Sequence, residues 1–357
     1  MNALKSLIGD EIRVRGVIPF ARFMELALYA PGLGYYEREL KQIGKRGDFY
    51  TSVSVGPLFG ELLAFQFVRW AEADAAGPFQ VVEAGAHDAQ LAYDILEAIE
   101  DDEPGAFARL EYLIIEPSPS RRAIQQQRLM RFSNVRWREN LSELRGRVRG
   151  VVFSNELLDA MPVHVFRWNA PEYRWDEMGV TLAGSDFVMT AMPELSIQAL
   201  KLPDELLRVL PDGYTTELSP AANQWWNDAA NALVRGNLMT IDYGGVIEEL
   251  LNPGRTRGTL RAFADHRAGD DVLASPGEQD ITAHVNFSEI RRVGESAGLK
   301  TDAFNYQSQF LTAIARDMWQ RRRLWPADQV RQFQTLTHPE HLGRPFRVLV
   351  QSRGCVR

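Results

Sequence analysis

Acidic and amide side chains stand at the ends of four apolar segments in this sequence. Glu83, Glu116 and Asp242 each lie at the end of such a segment, and Asn155 and Glu156 follow a Val-rich one. Carboxylates in these places can accept hydrogen bonds from hydroxyl groups, bind cations and take up protons. The alternative at each single position is a helix cap, where Asp and Ser are common. The occurrence of four such ends favours a functional site over four unrelated caps.

The most suggestive of these places is the stretch 154–162. Glu156 and Asp159 are three residues apart, so on a helical turn they would share one face. Two carboxylates so arranged can bind a guanidinium group, which pairs with carboxylate through two hydrogen bonds. Asn155 can orient an amide of the substrate or cofactor. Acidic residues are also favoured at the start of a helix by the helix dipole. A purely structural role is therefore an equal alternative at this place.

Residues 83–91 stand where a glycine-rich nucleotide loop is expected after a strand. Only Gly85 is present, with His87 and Ala89 at the other two loop positions, so the pattern is a poor dinucleotide fingerprint. S-adenosylmethionine carries no phosphate, and it tolerates a less open loop than a pyrophosphate, which needs unobstructed backbone N–H groups. Glu116, 31 residues after Gly85, can accept both hydroxyls of an adenosine ribose. A solvent-exposed strand end is the alternative for Glu116.

The elements that position these residues alternate between strands and helices from residue 79 onward. Strands are predicted at 79–84, 110–116, 148–154, 237–243 and 346–350, with 301–306 as a neighbour of the last one, and helices at 91–99 and 120–132. This alternation predicts an α/β fold with a doubly wound sheet. In such sheets ligands bind outside the carboxyl ends of the strands, where the acidic residues stand.

The rest of the chain differs in pattern from this core. Residues 1–75 predict an N-terminal helical cap that contains a glycine-rich loop. Residues 163–216 interrupt the alternation with a hairpin across 169–171, which predicts a β-rich insertion. The sheet core then consists of 76–162 and 217–357.

The composition excludes several classes of protein. The 357 residues carry 40 Lys and Arg against 47 Asp and Glu, and the net charge of −7 argues against a nucleic-acid partner. No apolar run reaches the roughly 18 residues of a membrane span, and no histidine pair has compact metal-ligand spacing with carboxylates, so we expect no metal. One cysteine, Cys355, and no export signal predict a cytoplasmic protein. The oligomeric state stays open.

Longer motifs occur in order along nearly the whole chain. They are 23–29 (FMELALY), 34–36 (GYY), 47–52 (GDFYTS), 57–60 (PLFG), 155–162 (NELLDAMP), 241–244 (IDYG), 258–261 (GTLR), His266, 276–277 (PG) and 280–287 (DITAHVNF). In these motifs the chain resembles the MidA-type methyltransferases, the family of the mitochondrial complex I assembly methyltransferase. Two departures stand out: Asn286 replaces an expected Asp, and the family's acidic-x-G-x-G-x-G loop keeps only its first glycine here.

The resemblance implies a class I S-adenosylmethionine-dependent methyltransferase, with a Rossmann-like sheet, an N-terminal helical extension and extra elements. It implies S-adenosylmethionine as the cofactor and a protein side chain as methyl acceptor; in the mitochondrial member the acceptor is an arginine of a respiratory-complex subunit. The residues that it places at the cofactor are Gly47, Asp48, Phe49, Thr51, Ser52, Glu83, Gly85, His87, Glu116 and Asn155. Residues 47–52 resemble the segment that closes over the cofactor. The residues that it places at the substrate are Tyr243, His266 and His284.

The expected chemistry is the transfer of a methyl group to a guanidinium nitrogen. We expect Glu156 and Asp159 to localise the guanidinium charge and accept the proton, with Asp242 as a further contact. Two other interpretations stay open. The replaced glycines favour a binding or assembly protein with a methyltransferase fold and no catalysis. A similar sheet also suits a nicotinamide-dependent oxidoreductase, although a pyrophosphate would need the missing glycines most.

Overall fold

The computed structural model describes residues 3–37, 51–72, 77–199, 201–264, 267–321 and 325–354. The helices are α1 (Ala3–Arg15), α2 (Phe20–Tyr29), α3 (Leu58–Glu72), α4 (Gln90–Asp102), α5 (Pro104–Phe107), α6 (Pro119–Arg128), α7 (Asp204–Leu207), α8 (Pro220–Ala232), α9 (Ile247–Leu250), α10 (Phe287–Ser296), α11 (Gln307–Arg321) and α12 (Ala327–Thr337). The strands are β1 (Ile18–Pro19), β2 (Phe79–Ala84), β3 (Leu110–Ile115), β4 (Val135–Arg138), β5 (Val148–Asn155), β6 (His164–Asn169), β7 (Arg174–Ala183), β8 (Asp186–Ala191), β9 (Thr215–Leu218), β10 (Leu233–Gly245), β11 (Arg261–Ala264), β12 (Arg267–Gly269), β13 (Asp280–Thr282), β14 (Val285–Asn286), β15 (Lys300–Tyr306) and β16 (Phe346–Arg353).

The chain divides into two units. The first unit contains Met1–Phe49, Asp159–Asn223 and Gly245–Ser288, and the second contains Tyr50–Leu158, Gln224–Gly244 and Glu289–Arg357. Most of the acidic strand ends singled out in the sequence belong to the second unit. Asp159 and His284 belong to the first unit.

The second unit is built on a mostly parallel sheet with the strand order β15-β16-β10-β5-β2-β3-β4. Strands β10, β5, β2, β3 and β4 pair in parallel, whereas β16 runs antiparallel to both β10 and β15. Residues 81–82 and 151–153 are buried, as expected for strands whose two faces are both covered. The predicted α/β doubly wound sheet is confirmed, including the pairing of 301–306 with the last strand.

The direction in which the chain crosses this sheet reverses between β2 and β5. From β2 the chain proceeds outward to β3 and β4, whereas β5 is followed in the sheet by β10 on its other side. The loops after β2 and β5 therefore lie on the two sides of this reversal, at the carboxyl ends of the strands. Ligands of open α/β sheets bind at such a switch point.

Helices α3 and α4 pack closely against each other in the second unit. A Cβ on Gly60 would lie only 2.5 Å from the Cβ of Asp94. The glycine of the 57–60 motif therefore allows a close approach of two helices. Asp94 is buried at this contact and accepts a hydrogen bond from Gln90 Nε2 at 2.8 Å.

The first unit contains an antiparallel sheet with the order β1-β7-β6-β9, in which β8 also pairs with β7. The hairpin predicted across 169–171 is formed by β6 and β7, with Trp168 opposite Trp175. Helix α2 contributes Phe23 and Ala27 to a core that also contains Val180 of β7. A small sheet with the order β12-β11-β13 completes the unit.

Candidate functional site

The loop after β2 keeps a glycine-type backbone at three positions. Gly85, His87 and Ala89 have φ values of +77°, +48° and +63°, all in the left-handed region. Residues other than glycine adopt this region at a cost of about 1–2 kcal/mol each. A Cβ on Gly85 would lie 3.1 Å from Cδ1 of Leu157, so the loops after β2 and β5 pack tightly together. The left-handed conformation is thus retained although only one of the three residues is a glycine.

Asp88 fixes the start of the helix that follows this loop. Its Oδ1 accepts the backbone N–H of Gln90 at 3.2 Å, and its Oδ2 lies 2.9 Å from Nη2 of Arg128. Burial raises the pKa of Asp88, but the hydrogen bond and charge of His87 and the charge of Arg128 outweigh burial and lower it. Asp88 is therefore a charged anchor between α4 and α6.

Glu83 is a buried carboxyl group at the end of β2. Its Oε2 accepts a hydrogen bond from the Tyr112 hydroxyl at 2.6 Å. Burial raises the pKa of Glu83 to about 7, although the bond from Tyr112 opposes this rise and the charge of Asp88 adds to it. Near neutral pH both protonation states are populated. A cation bound beside Glu83 would favour the charged state.

Glu116 follows β3 as a buried carboxylate whose orientation is fixed. Its Oε1 accepts the backbone N–H of Ser118 at 3.0 Å, and its Oε2 accepts Nε2 of Gln125 at 2.8 Å. Gln125 lies on α6, is fully buried, and also donates from Nε2 to the carbonyl oxygen of His87 at 3.0 Å. The sequence did not identify Gln125. The one sequence feature that could have indicated Gln125 is its spacing of four residues from Arg121, which places both on the buried side of an otherwise polar helix.

The turn after β5 is not helical. The strand ends at Asn155, and Glu156 follows with a φ of +51°. The helical turn on which Glu156 and Asp159 would share a face is therefore not formed. Nδ2 of Asn155 donates to Glu156 Oε1 at 3.1 Å. Oδ1 of Asn155 is buried and accepts no hydrogen bond within the described ranges, and such an acceptor suits a hydroxyl or amino group of a ligand.

Asp242 holds this turn in place from the neighbouring strand. Its Oδ2 accepts the backbone N–H groups of Leu157 at 3.1 Å and Leu158 at 2.8 Å, and its Oδ1 accepts that of Tyr243 at 2.9 Å. The side chain is fully buried in β10. These bonds direct the N–H groups of the turn toward Asp242 rather than toward the carbonyl groups of a helical turn. The backbone after Glu156 is therefore not helical.

Other residues predicted at the cofactor lie at the start of the second unit. Ser52 is fully buried, and its hydroxyl donates to Oε1 of Gln307 at 3.1 Å. Thr51 precedes the short 3-10 turn Val53–Val55 and is bonded to it, because its Oγ1 accepts the backbone N–H of Ser54 at 3.2 Å. The predicted residues that lie outside the described part of the chain are Gly47, Asp48, Phe49 and His266.

Tyr243 lies at the carboxyl end of β10, beside the start of β16. Its ring centre is 4.0 Å from that of Phe346, and the two rings are tilted by 39°. The backbone N–H of Tyr243 is one of the three donors to Asp242. Tyr243 is thus in the second unit, at the carboxyl ends of the strands, where Asn155 and Glu156 also lie.

In the first unit, Asp159 lies near a pair of tyrosines. The Tyr36 hydroxyl donates to Oδ2 of Asp280 at 2.8 Å, and its ring stacks on that of Tyr29 with centres 5.5 Å apart. Burial of the Tyr36 hydroxyl, followed by the charges of Asp280, Tyr29 and Asp159, raises its pKa well above the usual value. The backbone carbonyl of Asp159 accepts the N–H of Ala283 at 2.9 Å. Residues of four of the motifs therefore meet within this unit.

His284 occupies a different place in the first unit. Its backbone N–H donates to Oγ1 of Thr259 at 3.0 Å, and the same hydroxyl donates to Oε2 of Glu217 at 3.0 Å. Burial raises the pKa of Glu217, although its bonds from Thr259 oppose this rise. Together with Thr215 and Asn286, these residues line a small cavity.

Over the described ranges, no three His, Cys, Asp or Glu side chains are grouped so that they could bind a metal ion. No helix in those ranges combines the length and the apolar character that a membrane crossing requires.

The second unit has a Rossmann-like fold. Its parallel sheet has a switch point, a left-handed loop follows β2, and a buried carboxylate follows β3. Comparison with protein families identifies the chain further. Residues 62–305 match the family described as "Putative S-adenosyl-L-methionine-dependent methyltransferase", and the chain belongs to this family. It is a methyltransferase that uses S-adenosylmethionine.

Individual relatives agree with this assignment. A crystal structure of a Burkholderia thailandensis protein bound to S-adenosyl-homocysteine shares 33% identity with the chain, with a TM-score of 0.86 over 99% of this chain and 93% of that one. A Caenorhabditis elegans protein named a mitochondrial protein arginine methyltransferase NDUFAF7 homolog is 28% identical over 81% of this chain and 71% of its own length. The human protein arginine methyltransferase NDUFAF7, mitochondrial, is 28% identical over 80% of this chain and 67% of its own length.

These findings confirm the predicted cofactor class and correct the predicted location. S-adenosylmethionine is the cofactor, so the nicotinamide-dependent and non-catalytic interpretations are set aside. The predicted cytoplasmic location is wrong, because the curated relatives are mitochondrial proteins. A low cysteine content indicates a reducing environment, and it does not distinguish the cytoplasm from an organelle interior.

Proposed function

We propose that this methyltransferase transfers the methyl group of S-adenosylmethionine to a guanidinium nitrogen of a protein arginine. The Caenorhabditis elegans and human relatives are named as protein arginine methyltransferases, and the match covers 71% and 67% of their own lengths. Within this chain the proposal depends most on Glu156, a carboxylate that follows β5 with a φ of +51°. Such backbone strain is concentrated at functional sites. A subunit of a respiratory complex is the first acceptor to test.

The residues of the second unit suit the nucleoside part of the cofactor. Glu116 would accept the ribose hydroxyls, because two hydrogen bonds already orient its carboxylate. The loop with Gly85 and His87 would bring its backbone close to the ligand, and the buried Oδ1 of Asn155 would accept a donor from it. Glu83 would favour the cationic end of the cofactor. The bound cofactor supplies an electrophilic methyl group on a sulfonium.

Carboxylates would bind the methyl acceptor in this site. A guanidinium is a poor nucleophile while its positive charge is delocalised, so catalysis requires alignment and localisation of this charge. We assign these roles to Glu156, which would also accept the proton that the attacking nitrogen loses, and we keep Asp159 as a second candidate for the same roles. Asp242 would act by fixing the turn that carries Glu156. Tyr243, His266 and His284 are proposed to contact the substrate protein.

The segment around the described start of the second unit is proposed to close over the cofactor. It consists of Gly47, Asp48, Phe49, Thr51 and Ser52. Ser52 would support this closure from a buried position, because its hydroxyl is tied to Gln307 on α11. Thr51 would shape the segment through its hydrogen bond from the backbone N–H of Ser54.

The test is the transfer of a trideuterated methyl group from labelled S-adenosylmethionine to a mitochondrial protein extract. We expect mass spectrometry to find the label on arginine side chains. Glu156→Gln should lower its incorporation by about 100-fold, within the range for loss of acid–base catalysis. The affinity for S-adenosyl-homocysteine, measured by calorimetry, should change by less than about twofold, because Glu156 acts on the acceptor rather than on the cofactor.

A matched control separates this role from a general loss of charge. Glu139→Gln makes the same chemical change at an exposed residue just after edge strand β4, and it should leave incorporation unchanged. Label found only on lysine or carboxylate side chains would overturn the arginine assignment. Full incorporation by the Glu156→Gln variant would overturn the role of Glu156.

A further inference from the structure

The amide of Gln125 connects three separate parts of the parallel sheet. Its Nε2 donates to the His87 carbonyl oxygen at 3.0 Å and to Oε2 of Glu116 at 2.8 Å. Its Oε1 accepts the indole N–H of Trp137 at 3.0 Å. One fully buried side chain thus joins the loop after β2, the end of β3 and strand β4.

The chemistry of these partners permits only one orientation of the amide. An indole nitrogen can only donate, so the oxygen of Gln125 must face Trp137. A backbone carbonyl and an ionised carboxylate can only accept, so the nitrogen must face His87 and Glu116. Both N–H groups of Gln125 are therefore engaged. The amide thus gives one N–H to each of two acceptor oxygens.

We propose that Gln125, oriented by Trp137, is a positioning residue for cofactor binding. It holds the Glu116 carboxylate and the His87 carbonyl at a fixed separation, so that the carboxylate is ready to accept the ribose hydroxyls. This inference rests on the proposed role of Glu116 at the ribose. It does not depend on which side chain receives the methyl group.

The first test replaces Gln125 with methionine, which has similar length and no amide. We expect Gln125→Met to weaken S-adenosyl-homocysteine binding by about tenfold or more, since a bond to a charged partner is lost. The KM for S-adenosylmethionine should rise by a similar factor, while kcat at saturating cofactor changes by less than about threefold. A control in the same unit is Gln329→Met, because Gln329 Nε2 also donates to a carboxylate, that of Glu61, at 2.9 Å. This control should leave both constants unchanged.

A second test measures coupling and guards against a variant that fails to fold. Trp137→Phe removes the indole N–H but keeps an aromatic ring, and it should weaken S-adenosyl-homocysteine binding in the same direction by a smaller factor. In a Glu116→Gln background, Gln125→Met should have little further effect on binding, because the two residues act as one unit. Equal binding losses in the presence and absence of the Glu116 carboxylate would overturn the proposal. A fall in Tm with unchanged affinity would also overturn it.

These readouts distinguish failure of this inference from failure of the proposed function. Binding of S-adenosyl-homocysteine involves no acceptor, so an acceptor other than arginine leaves the expected binding results intact. If Glu116→Gln alone leaves affinity unchanged, the ribose role of Glu116 is wrong and the positioning role of Gln125 falls with it.

Discussion

Replacing Asp242 with asparagine tests whether this carboxylate positions the turn after β5 or contacts the substrate. Asp242 accepts three backbone N–H groups, two from the turn and one from its own strand. Asparagine has a single oxygen, which can keep the pair from Leu157 and Leu158. Its NH2 group would then face the N–H of Tyr243, donor against donor.

The size of the effect follows from these bonds. Hydrogen bonds to a charged group contribute about 1.5–3 kcal/mol, and those between neutral groups about 1 kcal/mol. The variant loses one hydrogen bond to a charged group and weakens two others, but it no longer buries a charge. Together these changes lower the free energy of unfolding by about 3 kcal/mol. For a unit of roughly 200 residues, each kcal/mol lowers Tm by about 2–4 °C. We therefore expect Asp242→Asn to lower Tm by about 6–12 °C.

The assay is thermal unfolding together with methyl transfer, and Thr240→Val is the matched control. Thr240 lies two residues earlier on β10, is fully buried, and shares one neutral hydroxyl bond of 2.9 Å with Ser154. The control should lose only about 1 kcal/mol, or about 2–4 °C, and retain its activity. If Asp242→Asn kept Tm within about 2 °C of the parent while the KM for the acceptor rose, the positioning role would be refuted and a substrate contact supported.

Three further predictions follow from the same unit. Folding raises the pKa of Glu83 from 4.5 to about 7, so the folded state binds the proton more tightly, and the contribution of this group to stability falls as pH rises between these values. Glu83→Gln cannot ionise and should raise Tm at pH 8 and flatten this part of the Tm–pH profile; an unaltered profile would contradict the buried-acid assignment. His87→Gly should be more stable than His87→Ala by about 1 kcal/mol, because only glycine relieves the left-handed backbone; equal Tm values would argue against this strain. Gly60→Ala should destabilise by about 1–3 kcal/mol, because its Cβ would meet Asp94 at 2.5 Å, and retention of the parent Tm would show that α3 and α4 separate easily.

Strands β2, β3 and β5 could be predicted from sequence almost to the residue, whereas β10 begins four residues before the predicted 237 and ends two residues after the predicted 243. Strand β2 spans the predicted 79–84, and β3 ends one residue before the predicted 116. These strands are apolar runs with clear limits because they are buried on both faces. Strand β4 (Val135–Arg138) was not predicted, because it is short, lies at the sheet edge and alternates with arginine.

The sequence predicts where the side chains of the candidate site lie more readily than what each of them does. Asp242 lies at the strand end where we expected it, yet its carboxylate is occupied by backbone N–H groups, which no sequence pattern reports. Gln125 escaped prediction for a related reason. Its importance comes from His87, Glu116 and Trp137, which lie 38, 9 and 12 residues away on other elements and meet it only in the folded chain.

The loop after β2 shows why a count of glycines is a weak guide to backbone conformation. With His87 and Ala89 in place of two glycines, the sequence read as a poor dinucleotide fingerprint and left a non-catalytic protein as an open interpretation. The structure retains positive φ values at both positions. Ala89 is fully buried in the core, and Gln125 binds the His87 carbonyl, so tertiary contacts supply what residue type does not. Residue type therefore sets the energetic cost of this loop, about 1–2 kcal/mol at each position, whereas the surrounding contacts decide its conformation.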